Sequence, residues 1–128
     1  MGFNVLIVDD SVTVRAVIVK TLSVAEVPVN EVFQAANGKE ALDILANSWV
    51  DLVFADINMP VMTGIELVDR MAADGLLQTI PVVIVSTEGS KTRIEDLKGK
   101  GVSAYIRKPF TPELLKQVVD MVMGSQDE

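Results

Sequence analysis

Apolar residues are grouped along this chain in two alternating ways. Val5–Val8, Val32–Ala36, Leu52–Ala55, Val82–Val85 and Ala104–Ile106 are short, almost unbroken apolar runs. Such runs predict strands of a parallel sheet covered on both faces, because neither face then needs polar residues. Between them the apolar positions take a helical period. Val14, Ile18 and Leu22 share one face of a first helix, Ala41, Leu42 and Leu45 mark a second, and Ile65, Val68 and Met71 a third. The fourth, Thr92–Lys98, has only Ile94 and Leu97. The fifth starts at Thr111 and turns Leu115, Val118, Val119 and Val122 inward.

The punctuation agrees. Asn37-Gly38 opens the second helix and Thr63 can cap the third. Thr111-Pro112-Glu113 supplies an N-cap, a proline at the first helical position and an acid in the first turn. Gly75, and Gly99 or Gly101, stand where helix C-caps are expected. The pattern is (βα)5. A closed barrel needs eight such units, so five predict an open α/β sheet with helices on both faces, a three-layer sandwich. Residues 1–128 read as a single domain with its core over about 3–122, and Gly124–Glu128 as a frayed tail.

Composition narrows the chemistry. The 128 residues are 49% hydrophobic and 23% charged, an ordinary globular balance. Cysteine and histidine are both absent, which removes disulfides, thiolate sites and imidazole ligands. Any metal must then be a hard cation held by oxygen. The net charge is −7 and the 11 lysines and arginines form no run, so no nucleic-acid partner is expected. The apolar runs are far too short to span a bilayer, and Asp9-Asp10 interrupts the first one as no signal peptide would. A cytoplasmic location, with no membrane partner, is the expectation.

Where the polar residues fall is more telling. Asp9 and Asp10 follow strand 1, Asp56 follows strand 3, Ser86 follows strand 4 and Lys108 follows strand 5. The carboxyl ends of the strands of an open α/β sheet share one rim, and ligands bind there at the topological switch point. Taken singly, each residue has a plainer role: Asp10 or Ser11 as a cap of the first helix, Ser86 as another cap, Lys108 as a solvated charge, Tyr105 as packing. Together they bring three carboxylates to one place, and like charges there call for a cation. Mg²⁺ suits such a set of hard oxygens. An aspartate can also be a nucleophile toward phosphorus, and Mg²⁺ with a lysine would neutralise the phosphoryl oxygens.

The set Asp9-Asp10, Asp56-Ile57-Asn58-Met59-Pro60 with Gly64, Ser86, and Lys108-Pro109-Phe110 resembles the receiver domain of two-component response regulators. The resemblance covers about residues 3–122 and is most like the stand-alone chemotaxis type, with Asn58, Tyr105 and the run Val85–Glu88 in agreement. It implies a flavodoxin-like fold of strand order 2-1-3-4-5 and a signalling protein rather than an enzyme. It makes Asp56 the phosphoacceptor. Asp9, Asp10, Asp56 and the backbone carbonyl of Asn58 become the Mg²⁺ site, Asp10 acting more directly and Asp9 partly through water. Lys108 contacts the phosphoryl group, and its bond to Pro109 is expected to be cis. Ser86 and Tyr105 form the switch, Asn58 and Glu88 modulate it, and Gly64 is structural.

The implied partners are a sensor histidine kinase, an output protein such as the flagellar motor switch reached through the α4-β5-α5 face, and a phosphatase. A monomer is expected, with output by protein contact because no effector domain follows the fifth helix. Departures are few. Thr63 stands where Asp is common, Ser86 replaces the commoner Thr, and Ile57 occupies a position where some chemotaxis receivers carry Trp. The only tryptophan, Trp49, falls in the loop before strand 3.

Other readings are a phosphate sink or regulator of a separate enzyme, a receiver-like module that binds without phosphorylation, and a Mg²⁺-dependent phosphatase with an aspartate nucleophile. The last needs two acids one residue apart after strand 1, whereas Asp9 and Asp10 are adjacent.

Overall fold

The computed structural model describes residues 2–87 and 91–124. Five strands, β1 (Phe3–Val8), β2 (Val29–Ala35), β3 (Leu52–Ala55), β4 (Val82–Ser86) and β5 (Ala104–Arg107), alternate with α1 (Val12–Val24), α2 (Gly38–Asn47), α3 (Gly64–Ala72), α4 (Lys91–Gly99) and α5 (Pro112–Met123). A short 3-10 turn, Leu77–Thr79, precedes β4. The strands form one parallel sheet in the order β2-β1-β3-β4-β5, the flavodoxin-like arrangement.

Alternation along the strands explains their unbroken apolar character. Leu6, Val8, Val53, Ala55, Val82 and Ile84 face one side, where Ala41 and Leu45 of α2, Leu67, Val68 and Met71 of α3, and Leu97 of α4 cover them. Val5, Ile7, Leu52, Phe54, Val83 and Val85 face the other side, against Ile18 and Leu22 of α1 and Leu115, Val118 and Val119 of α5. The chain leaves β1 toward β2 on one side and returns to β3 on the other. The ends of β1 and β3 are thus where the connections diverge, which opens a crevice at that rim.

Most caps form as expected. The Asn37, Thr63 and Thr111 side chains accept from Glu40, Glu66 and Leu114 N–H groups, and Glu66 completes a capping box by accepting from Thr63 N–H. Two details differ. Gly75 does not close α3: Ala73 does so in a right-handed conformation, its N–H reaching Asp69 and Met71 carbonyls. Gly101, at φ +98°, takes the left-handed position after α4, while Gly99 is the last helical residue. The Val102 and Gly101 N–H groups return to Leu97 and Lys98 carbonyls, a Schellman closure sealed by buried Val102 and Leu97.

β2 also begins earlier than the apolar run, at Val29, and Ala36 lies beyond it. Trp49 is 78% exposed in the loop before β3. Gly124 caps α5, and the rest of the expected tail, residues 125–128, lies outside the described residues. Among the described residues no helix is long and apolar enough to cross a membrane.

Candidate phosphoryl and metal site

Asp9 is set by the strand it follows. Its N–H donates to Ala35 O at 3.0 Å, extending the pairing of β1 with β2 by one residue. The side chain is buried, yet both oxygens are engaged: Oδ1 accepts from Ser11 N–H at 2.9 Å and Oδ2 from Lys108 Nζ at 3.0 Å. Ser11 then caps α1 by accepting from Val14 N–H. Asp10, the next residue, is exposed. Asp56 is fixed in the same manner, its N–H donating to Val8 O at 3.0 Å and its Oδ1 accepting from Ile57 N–H at 2.8 Å.

One carboxylate oxygen each from Asp9, Asp10 and Asp56 can be chosen so that all lie within 4.8 Å of one another. Among the described residues the cation paired with their carboxylates is Lys108, whose Nζ is 3.0 Å from Asp9 and 3.7 Å from Asp56. Its backbone N–H donates to Ser86 O at 2.9 Å, so the residue just past β5 is tied to the end of β4. The Lys108–Pro109 bond is cis. One ammonium among three close carboxylates leaves negative charge uncompensated, and oxygen-only donors of that charge are the chemistry of a Mg²⁺ or Ca²⁺ site.

The other expected residues are placed as follows. Asn58 is exposed on the β3–α3 loop, two positions past Asp56. Gly64 begins α3, and its N–H donates to Ile57 O at 2.9 Å, folding that loop back on itself. Ser86 is wholly buried at the end of β4. Two residues after Ile84, it points to the α2–α4 side of the sheet. Tyr105, opposite Ile84 in the register, is half-buried and packs on the apolar cluster of that same side. Ile57, where some chemotaxis receivers carry Trp, is buried in that cluster. Glu88 lies outside the described residues.

Sequence reasoning passed over Arg15. Its guanidinium donates to the backbone carbonyl of Asp9 and, at 3.0 Å, to Gln34 Oε1. A carbonyl acceptor leaves no mark in the sequence, and Gln34 looks like an ordinary edge-strand polar residue.

A rim of three acids, a lysine and a buried hydroxyl, at the switch point of a 2-1-3-4-5 sheet, defines the receiver class. The profile of the response regulator receiver domain matches residues 5–120, and the chain belongs to that family. Its relatives include chemotaxis protein CheY1 of Helicobacter pylori, 40% identical over 97% of this chain and 99% of its own. They also include the chemotaxis protein CheY homolog of Campylobacter jejuni, 39% identical over 95% of this chain and 93% of its own. Among solved structures, chemotaxis protein CheY4 of Vibrio cholerae superposes with a TM-score of 0.85 at 34% identity, covering 96% of this chain and 100% of that one. The receiver domain of sensor histidine kinase PA1611 from Pseudomonas aeruginosa, with magnesium coordinated in its active-site cleft, shares the fold at a TM-score of 0.84 and 21% identity, over 97% of this chain and 99% of that one.

Proposed function

We propose that the chain works as one receiver unit, a phosphorylation-activated switch of a chemotaxis pathway in the cytoplasm, with Asp56 as phosphoacceptor. The observation that carries this reading is that carboxylate oxygens of Asp9, Asp10 and Asp56 lie within 4.8 Å of one another, with Lys108 Nζ against Asp9 and Asp56. Asp10, Asp56, the Asn58 carbonyl and, through water, Asp9 would hold Mg²⁺. The ion supplies charge neutralisation for the phosphoryl oxygens when bound.

The chain's own residues do the rest. Asp56 presents a carboxylate oxygen to the phosphorus of a phosphohistidine on the kinase. The oxygen–phosphorus bond forms as the phosphorus–nitrogen bond breaks, and the donor imidazole leaves with its electron pair. Asp56 Oδ1 already accepts from Ile57 N–H, which fixes the rotamer of the attacking group. Lys108, paired with Asp9 at 3.0 Å and 3.7 Å from Asp56, would exchange Asp9 for a phosphoryl oxygen. Ser86 would donate to another oxygen, and Tyr105 on the same face of the sheet would follow it inward, with Asn58 and Glu88 modulating loss of the group. The change would be read on the α4-β5-α5 face by a target such as the flagellar motor switch, and a phosphatase would end it. The chain is then a signalling protein whose only catalysis is on itself.

The test is incubation of the full chain with phosphoramidate and Mg²⁺. One acid-stable, base-labile phosphoryl group per chain is expected, and Asp56→Asn should take up none. Undiminished labelling of Asp56→Asn would move the acceptor elsewhere.

A further inference from the structure

Arg15 sits in the first turns of α1, half-buried, and reaches two acceptors at once. One is the carbonyl oxygen of Asp9, the residue just past β1. The other is Oε1 of Gln34, at 3.0 Å, the penultimate residue of β2. A single planar guanidinium thus bridges the ends of two neighbouring strands, a task for which its fixed fork is suited and a lysine ammonium is not.

The carbonyl it holds belongs to the peptide joining Asp9 to Asp10. On the other side of Asp9, its N–H is held by Ala35 O at 3.0 Å. The backbone leading into Asp10 is therefore clamped from β2 twice, once directly and once through Arg15. The two carboxylates flanking this arrangement have different needs. Asp9 is oriented by its own side-chain bonds to Ser11 and Lys108. The Asp10 carboxylate makes no hydrogen bond or ion pair among the described residues. Its direction rests on its rotamer and on the plane of the peptide before it.

We propose that Arg15 is a positioning residue for the acid cluster, fixing the Asp9–Asp10 peptide against Gln34 of β2 so that Asp10 is aimed at the metal position. The proposal builds on the Mg²⁺ site of the proposed function. It makes a prediction opposite in sign to simple electrostatics. A cation beside three carboxylates repels Mg²⁺, so by charge alone its removal would tighten binding. If the clamp dominates, removal loosens the ligand and weakens binding, as loss of groups that orient metal ligands does.

Calorimetric titration of the full-length chain with MgCl₂ separates these. Arg15→Gln should weaken Mg²⁺ binding on the order of tenfold. Gln34→Ala, which alters no charge and lies outside the cluster, should weaken it in the same direction, and the double variant should bind no worse than Arg15→Gln alone. Thermal melts in EDTA check that each variant is folded. Arg15→Gln binding as tightly as wild type or tighter overturns the proposal, and so does an unchanged affinity in Gln34→Ala. Absence of Mg²⁺ binding by the wild type would instead overturn the metal site itself, a result distinguishable because no variant is needed to see it.

Discussion

A Cβ added to Gly64 would lie 2.1 Å from the backbone oxygen of Asp56, and 2.9 Å from the carbon of the same carbonyl. Those neighbours are main chain, so no side-chain rotation can relieve the clash. The contact is how α3 docks on the end of β3, with Gly64 N–H on Ile57 O at 2.9 Å. Gly64→Ala should push the start of α3 off the strand and displace the residues following Asp56. The expected loss is about 3 kcal/mol of stability, read from urea unfolding. Wild-type stability in Gly64→Ala would show that the loop yields without cost.

A gain is expected at Glu26. The N–H groups of Val27 and Glu26 return to Leu22 and Ser23 carbonyls, a Schellman closure of α1. Its pivotal residue is Glu26, exposed and at φ +60°, where a side chain is disfavoured and glycine is not. Glu26→Gly should raise stability by roughly 1 kcal/mol, somewhat offset by the freer unfolded chain. Differential scanning calorimetry decides it. An unchanged or lower midpoint would mean that the glutamate side chain compensates for its own backbone.

These positions mark what sequence could and could not disclose. The clustering of Asp9, Asp10 and Asp56 with Lys108 was readable because these residues fell at or just past the ends of apolar runs, and parallel topology sends every such end to one rim. The early start of β2 was not, because β2 is an edge strand and tolerates exposed Asn30 and Glu31 in its ladder. Gly75 drew attention as a helix stop, yet α3 ends on Ala73 through local backbone bonds that any residue can make. Arg15 escaped for a related reason: its partners are a main-chain oxygen and an amide contributed by the next strand. Caps such as Asn37, Thr63 and Thr111 were visible because the backbone they hold lies three residues on, whereas Arg15 holds backbone across two strands, where no local spacing marks it.

Asp74 gives a pH-dependent expectation. Its Oδ1 accepts from Leu76 N–H at 2.8 Å and Leu77 N–H at 3.0 Å. The bond from Leu77 first, then that from Leu76, lowers its pKa below the ordinary 3.8. A depressed folded-state pKa means the carboxylate stabilises the fold fully above its unfolded value, and that this contribution fades as pH falls through the folded one. Asp74→Ala should therefore be less stable than wild type at pH 7, with the gap narrowing below about pH 4. Urea titrations at several pH values measure the gap, and a difference constant down to pH 3 would count against the turn as its source.

The Lys108–Asp9 pair supplies the last expectation. Asp9 is almost fully buried, its side chain 3% exposed, with Lys108 Nζ at 3.0 Å. Lys108→Met removes the ammonium that, among the described residues, pairs with Asp9 and Asp56, and leaves a buried carboxylate beside two others. Without divalent cation this should cost about 3 kcal/mol. The same change makes the cluster more negative, so Mg²⁺, if held there as proposed, should bind the variant at least as tightly as wild type. A ligand that binds only the folded chain raises stability with its concentration. Thermal melts across a MgCl₂ series should therefore show a larger rise in midpoint for Lys108→Met than for wild type, with much of the lost stability regained. Equal slopes for the two proteins would separate Lys108 from the metal-binding cluster, and a destabilised variant indifferent to Mg²⁺ would leave the lysine a purely structural counter-ion of Asp9.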